Sequence, residues 1–284
     1  MSIDPDFIFS ANSLKDYEDC PRRFELKYLL KRDWPAEESE PVLGWEHELQ
    51  LGTFFHQLVY QYLSGLPEEA LIASINDSDV ENWFRNFLAF YSQQAFSQTF
   101  PEFRVRVPLG SYQAVAVYDL LALTPDKRLV ILDWKTSRKV PRREWISAHL
   151  QTILYPYTAL ESAGNFLPEL TLAPESIQMI YVYVRHSVDN TLTFSYDAAH
   201  HTHNRTHLEQ LVSEIAALEL GEFPLTEEKR RCKFCVYRSL CERGQNAGKL
   251  SDMEEMEEME AEPELDLDAL LGGLDFDAQD EIAF

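Results

Sequence analysis

The stretch Val130-Ile131-Leu132-Asp133-Trp134-Lys135-Thr136-Ser137 decides how this chain folds. Its apolar, β-branched opening reads as a strand over 129–135. Thr124-Pro125-Asp126-Lys127 supplies the turn before it. Successive side chains on a strand point to opposite faces, so Asp133 and Lys135 share one face. Asp119 lies in the preceding apolar run, Ala114 to Leu123, which also reads as a strand. A lone carboxylate among apolar neighbours costs free energy unless it finds a partner.

Carboxylates and an ammonium at a strand end suit metal-assisted phosphodiester cleavage. The carboxylates would hold Mg²⁺ or Mn²⁺, and the lysine would sit beside the attacking water or the scissile phosphate. For Asp-x-Lys alone, a surface ion pair is the plainer alternative. Two further pieces narrow the choice. Upstream, Leu51-Gly52-Thr53-Phe54-Phe55-His56 has helical periodicity, with Leu51, Phe55, Leu58 and Tyr62 on one face. Downstream, Gln151 and Tyr155 are one helical turn apart and can point at one object.

In this order, the pieces resemble the RecB-like branch of the PD-(D/E)xK nuclease superfamily. Phe9-Ser10-Ala11-Asn12-Ser13-Leu14 and Tyr17-Glu18-Asp19-Cys20-Pro21-Arg22-Arg23-Phe24 resemble the start of the same domain. The likeness covers roughly residues 8 to 245. It implies an α/β, restriction-endonuclease-like αβββαβ core preceded by N-terminal helices. It implies metal ligation by His56, Asp119, Asp133 and the main-chain carbonyl of Trp134. It implies catalytic roles for Asp119, Asp133, Lys135, Gln151 and Tyr155. A histidine ligand favours Mn²⁺ over an all-oxygen Mg²⁺ site. Read without the family, His56 could be a satisfied core histidine and Tyr155 simple packing. One departure weakens an inferred DNA contact: relatives often carry Gly before and Arg after the strand Asp, where this chain has Ala116-Val117-Tyr118 and Leu120.

The four cysteines are Cys20, Cys232, Cys235 and Cys241. Zinc sites usually show two close pairs, which this spacing lacks. A lone N-terminal cysteine with a C-terminal triplet resembles the iron–sulfur staple of helicase-associated and CRISPR-associated RecB-like nucleases. That resemblance implies a [4Fe–4S] cluster joining the two ends of the domain. Zinc and free thiols are the alternatives.

The periodicity around these motifs gives the rest of the order. Ser13 can cap a short helix, and Pro21 fits the first turn of the next, through Leu30. Helices are expected over 44–63, 79–97, 143–163 (kinked at Pro156) and 197–220. Strands are expected at 104–107, 114–123, 129–135, 177–184 and 191–196, the last two joined by an Asp-Asn turn. His200, His201, His203 and His207 read as an exposed helix start.

The formal net charge is −23, which argues against a nucleic-acid binder until its distribution is read. From Leu250 onward there are 14 acidic residues and no Lys or Arg; without them the balance is 34 acidic against 25 basic, a net of −9. Lys135, Arg138, Lys139, Arg142 and Arg143 follow the Asp-x-Lys strand, and a second basic cluster runs over 229–243. Such patches can bind phosphate whatever the global sum. The expected organisation is a nuclease domain over 1–248 and a disordered acidic tail over 249–284.

The tail ends Asp280-Glu281-Ile282-Ala283-Phe284, which resembles the C-terminal tip of bacterial single-stranded-DNA-binding proteins. It could bind a protein partner, fold back over the chain's own DNA groove, or only solubilise. No apolar run approaches the roughly 18–20 residues that span a bilayer, and the N-terminus lacks a signal-peptide pattern, so a cytoplasmic location is expected. Taken together, the expectation is a Mg²⁺- or Mn²⁺-dependent deoxyribonuclease acting on single-stranded DNA or ends, in repair, recombination or CRISPR-type processing. A non-catalytic DNA-binding or adaptor protein on the same fold is the alternative.

Overall fold

The computed structural model describes residues 3–32, 40–186, 190–233 and 235–244, with side chains of 40–46 excepted. The expected acidic tail lies outside these residues, as does part of the Asp-Asn turn.

The chain opens with a short strand, β1 (Ile8–Phe9), then α1 (Ala11–Asp19) and α2 (Pro21–Phe24), which runs into a π-helical turn over Glu25–Leu29. Ser10, rather than Ser13, is the cap of α1. The two serines bond reciprocally: Ser13 N–H donates to Ser10 Oγ at 3.1 Å and Ser10 N–H to Ser13 Oγ at 2.8 Å. Three helices follow, α3 (Glu40–Leu63), α4 (Glu68–Ser74) and α5 (Ser78–Tyr91). The periodicity had not separated α4, and α5 stops six residues earlier than expected.

The sheet comes next: β2 (Gln98–Leu109), β3 (Tyr112–Leu123) and β4 (Leu129–Lys135). The expected long helix is two, α6 (Arg143–Ile146) and α7 (Leu150–Phe166), with Pro156 inside α7. Then come β5 (Ile177–Tyr183), β6 (Thr191–Ser195), α8 (Ala198–Ala216) and the short α9 (Lys229–Cys232). The expected helix–three strands–helix–strand core is therefore present, in a mixed sheet ordered β1-β3-β4-β5-β6 with β2 paired to β3. β2–β3, β3–β4 and β5–β6 are antiparallel; β1–β3 and β4–β5 are parallel.

Helices cover both faces of the sheet. Phe55, Leu58 and Val59 of α3 and Trp83, Phe84 and Phe87 of α5 bury against Leu120, Val130, Leu132 and Trp134. On the opposite face, Ala159 of α7 packs with Tyr118, Leu121, Ile131, Met179 and Tyr181. A third cluster joins α1, α7 and α8 through Leu14, Leu154, Leu208 and Val212. β4 is therefore covered on both faces, which explains why its sequence is a continuous apolar run rather than an alternating one.

The N- and C-terminal parts of the domain meet directly. Arg22 N–H donates to Pro224 O at 3.1 Å, the buried Glu25 carboxylate accepts from Gly221 N–H, and Arg231 pairs with Asp19.

Candidate active site

The sheet ladder is broken along one line, and the acidic residues sit on that line. A tight turn at Gly110 and Ser111 sets the β2–β3 register, Leu109 opposite Tyr112. Counting back from it places Glu102 opposite Asp119, yet the register passes from Pro101↔Leu120 to Phe103↔Tyr118 without that pair. Glu102 has φ of +47°, a left-handed conformation that is unusual for a residue with a Cβ. Alternation skips a position on both strands here. Phe100 and Phe103 pack in one cluster, and so do Tyr118 and Leu121, although each pair is three residues apart. On the other side of β3, pairing with β4 ends at Leu120↔Leu132. The next pair in that count would be Asp119 and Asp133. Three carboxylates on three adjacent strands thus meet where one β2–β3 pair is skipped and β3–β4 pairing ends.

Like charges opposite one another on a sheet repel, and these groups are enclosed. Glu102 is pushed up to about 8, by burial first and then by Asp119 and Asp133, with His56 pulling back. Asp133 is pushed up to about 6 by burial, with Lys135 opposing and Asp119 adding to the rise. Asp119 goes the other way. Burial would raise it, but His56, the Trp134 amide and Lys135 together hold it below the usual aspartate value. Its Oδ2 accepts from Trp134 N–H at 2.8 Å, and its Oδ1 lies 3.4 Å from His56 Nδ1.

His56 comes from the middle of α3. Burial lowers its affinity for a proton; Asp119, Glu102 and Asp133 more than offset this and raise it. Its Nδ1 is buried and faces the Asp119 carboxylate at 3.4 Å, too long for a well-formed hydrogen bond. One ligand atom each from His56, Glu102 and Asp119 lies within 4.8 Å of the others. Clustered carboxylates beside an imidazole nitrogen fit a divalent cation, because positive charge would relieve the repulsion that now holds protons there.

Beside this group, Gln151 couples Asp133 to Lys135. Its Nε2 donates to Asp133 Oδ1 at 2.7 Å, and its Oε1 accepts from Lys135 Nζ at 3.0 Å. Lys135 Nζ also lies 3.1 Å from Asp133 Oδ2 and 5.3 Å from the centre of the Tyr181 ring. Trp134, between Asp133 and Lys135, faces the other way. Its ring meets Phe87 and Phe90 edge-on, with centroids 5.0 and 6.0 Å away. That anchor fixes the main chain whose amide meets Asp119.

The structure therefore brings together His56, Asp119, Asp133, Lys135 and Gln151, with the main chain of Trp134. Tyr155, one turn beyond Gln151, sets its ring edge-on against Tyr118 at 5.1 Å. The α8 histidines go elsewhere: His201 to Glu161 and Tyr196, His200 to Asp197, and His207 toward Glu18. Glu102 escaped the sequence reading because Pro101 and Glu102 obscured the alternation of the first half of β2. The hairpin count from Gly110-Ser111 would have found it.

The cysteines form a second group. Cys20 links α1 to α2, and Cys232 ends α9. The Cys235 N–H donates to Cys232 O at 3.3 Å and the Cys241 N–H to Tyr237 O at 3.2 Å, coiling the triplet. Burial pushes up the Cys235 and Cys241 thiols, Cys241 to about 11, and Cys20 and Cys232 add to both. Arg23 beside Cys235 and Arg22 beside Cys241 oppose the rise. Four cysteines from both ends of the domain are the donor set that a four-thiolate centre needs, and Arg22 and Arg23 favour the thiolate forms against burial.

The family model of the PD-(D/E)XK nuclease superfamily matches residues 8–242. The chain belongs to this superfamily. The nuclease matches no curated protein. Among solved structures it is similar to a candidate exonuclease from Eubacterium rectale, at 11% identity and a TM-score of 0.48, over 88% of this chain and 92% of that one. It is also similar to the protein SSO0001, at 14% identity and a TM-score of 0.41, over 82% and 85%. Among the described residues of the nuclease, no helix is long and apolar enough to cross a membrane.

Proposed function

We propose that this nuclease is a Mg²⁺- or Mn²⁺-dependent deoxyribonuclease of the RecB-like branch, acting in the cytoplasm on single-stranded DNA or DNA ends. The observation that carries this reading is the carboxylate line Glu102–Asp119–Asp133 beside Lys135. His56, Asp119, Asp133 and the Trp134 carbonyl would hold the ion, with Glu102 as an added oxygen donor. A divalent ion supplies Lewis-acid polarisation of phosphate and an acidified water.

The chain's own groups do the rest. Lys135 Nζ is a cation placed to donate to a phosphate oxygen as negative charge grows there. Gln151 is a positioning residue: one amide bonds to both Asp133 and Lys135, so neither rotates independently. Asp119 orients His56 on one side and accepts the Trp134 amide on the other. Tyr155 is assigned to the strand-contacting side of α7.

A [4Fe–4S] centre on Cys20, Cys232, Cys235 and Cys241 completes the reading. It would join α1–α2 to the 229–243 segment, within a nuclease domain that we place at 1–248. The acidic tail, 249–284, is assigned by its charge to cover the basic groove or to dock on a protein partner.

The test is cleavage of end-labelled DNA. With Mg²⁺ or Mn²⁺, single strands should be cut, and faster than duplex; with EDTA nothing should be cut. Cleavage undiminished by EDTA, or none with any divalent ion, would overturn the reading.

A further inference from the structure

A second basic site stands at the same end of the sheet, outside the catalytic group. β4 and β5 run parallel, with Lys135 level with Tyr183. Two residues past Tyr183 comes Arg185, and three past Lys135 comes Arg138. Both reach one carboxylate: Arg138 Nη2 lies 2.8 Å from Glu48 Oε1, and Arg185 Nη2 pairs with Glu48 Oε2. Glu48 and His56 are both on α3, eight residues apart, so about 12 Å of helix separates the two sites.

Arg185 is built into place. The Asn86 side-chain amide, from α5, donates to both Val184 O and His186 O at 2.9 Å and so clamps the main chain on either side of it. Val184 N–H donates to Lys135 O at 3.0 Å, tying this segment to the Asp-x-Lys strand. The guanidinium stacks on the Trp83 ring, 4.4 Å from its centre. Its Nε is buried and meets no acceptor among the described residues. Arg138 differs: its side chain is 67% exposed. Arg185 is fixed and mostly enclosed, Arg138 reaches into solvent, and the Glu48 carboxylate meets both.

We propose that Arg185 and Arg138 form a phosphate-binding subsite that holds the backbone of the nucleic-acid strand beside the cleavage centre. A guanidinium presents a planar fork that matches phosphate oxygens, and Nε is one of its two bidentate edges. Because Arg185 is anchored to the main chain of Lys135, a phosphate seated here has its neighbours positioned relative to Asp133 and Lys135. This subsite rests on the nuclease reading above and adds the place where the strand is gripped.

The test uses the full chain and a fluorescently labelled single-stranded oligonucleotide in EDTA, with affinity measured across a salt series. Arg138→Gln and Arg185→Gln should each weaken binding roughly ten- to a hundredfold, the effect of losing one charge-assisted bond. Each should also flatten the slope of log affinity against log salt by about 0.7, the value for one lost phosphate contact on a single strand. Arg185→Lys keeps the charge but loses the fork; it should restore the slope and only part of the affinity. Arg128→Gln, at the far end of β4 from Lys135, should change neither. If wild type binds and cleaves but the Arg138 and Arg185 variants keep its affinity and slope, the subsite is wrong and the nuclease reading stands. A fall in melting temperature for Arg185→Gln with unchanged binding would make the pair a structural clasp and overturn the proposal equally. If wild type neither binds nor cleaves nucleic acid, the nuclease reading itself fails.

Discussion

The main-chain amide of Trp134 donates to Oδ2 of Asp119 across 2.8 Å, at the point where β3 and β4 have stopped pairing. A side chain here replaces a backbone acceptor in the ladder. The substitution keeps the amide satisfied while the strands part, and the parting makes room for charged groups. Asp119 thus has a structural duty besides any ligand role, and the two can be separated experimentally.

Lys135→Ala should lower the cleavage rate by roughly a hundredfold or more, the scale for removing a preorganised donor to developing charge. Metal binding should persist, because Lys135 is not a ligand in this account. Asp133→Ala should lose both. Single-turnover cleavage beside Mn²⁺ calorimetry checks the split. A Lys135→Ala enzyme that cleaves at the wild-type rate would contradict the assignment.

Glu102→Gln should reduce Mn²⁺ affinity by about tenfold to a hundredfold, as losses of supporting groups at metal sites do. It should also raise the melting temperature of metal-free protein at pH 8, since a repelled buried carboxylate disappears. Calorimetry and thermal unfolding check the two halves. Unchanged metal affinity would make Glu102 a bystander.

The raised acids give a pH dependence with a definite sign. Glu102 and Asp133 are held up to about 8 and about 6, against 4.5 and 3.8 for free side chains. The folded chain therefore keeps protons that the unfolded chain has released. Their stabilising contribution is full below the free-chain values and is lost as pH rises through the folded ones. Metal-free protein should lose this contribution between about pH 4 and pH 8. Glu102→Gln should flatten the slope of melting temperature against pH in that window. A cation must displace those protons, so the rise in melting temperature on adding Mn²⁺ should grow toward pH 8. A metal-induced rise that shrinks over this range would contradict the pairing of groups described.

The cysteines make a separate prediction. Anaerobically purified protein should be brown, with about four irons and four sulfides per chain. Cys20→Ser should lose the colour and unfold at lower temperature, because the link between α1–α2 and the 229–243 segment is gone. Colourless wild-type protein with stoichiometric zinc would refute the cluster.

Much of this fold is legible in the residues. The run 129–135 marks a strand by composition alone, and Asp133 and Lys135 share a face by period. His56, Asp119 and Gln151 come from the motif order. What escaped are features in which one signal masks another. Pro101 and Glu102 interrupt the alternation of β2, so half the strand and one carboxylate were missed. The three residues Ser147-Ala148-His149 carry no breaker, so α6 and α7 read as one helix; Pro156, the expected kink, sits within α7, where a single lost bond does not end a well-packed helix. Ser10 and Ser13 both look like caps, and only the reciprocal bonds show which residue begins the helix. The pairing of Arg185 with Glu48 spans 137 residues and has no local signature.

The most direct measurement is the cleavage rate of an end-labelled single strand by Asp119→Asn across a Mn²⁺ titration. Asparagine keeps an oxygen to accept the Trp134 amide, so the strand junction should survive, while the charge that binds metal and orients His56 is lost. The account predicts a folded protein with no cleavage at any Mn²⁺ concentration. Cleavage by Asp119→Asn at the wild-type rate and with the wild-type Mn²⁺ dependence would contradict it.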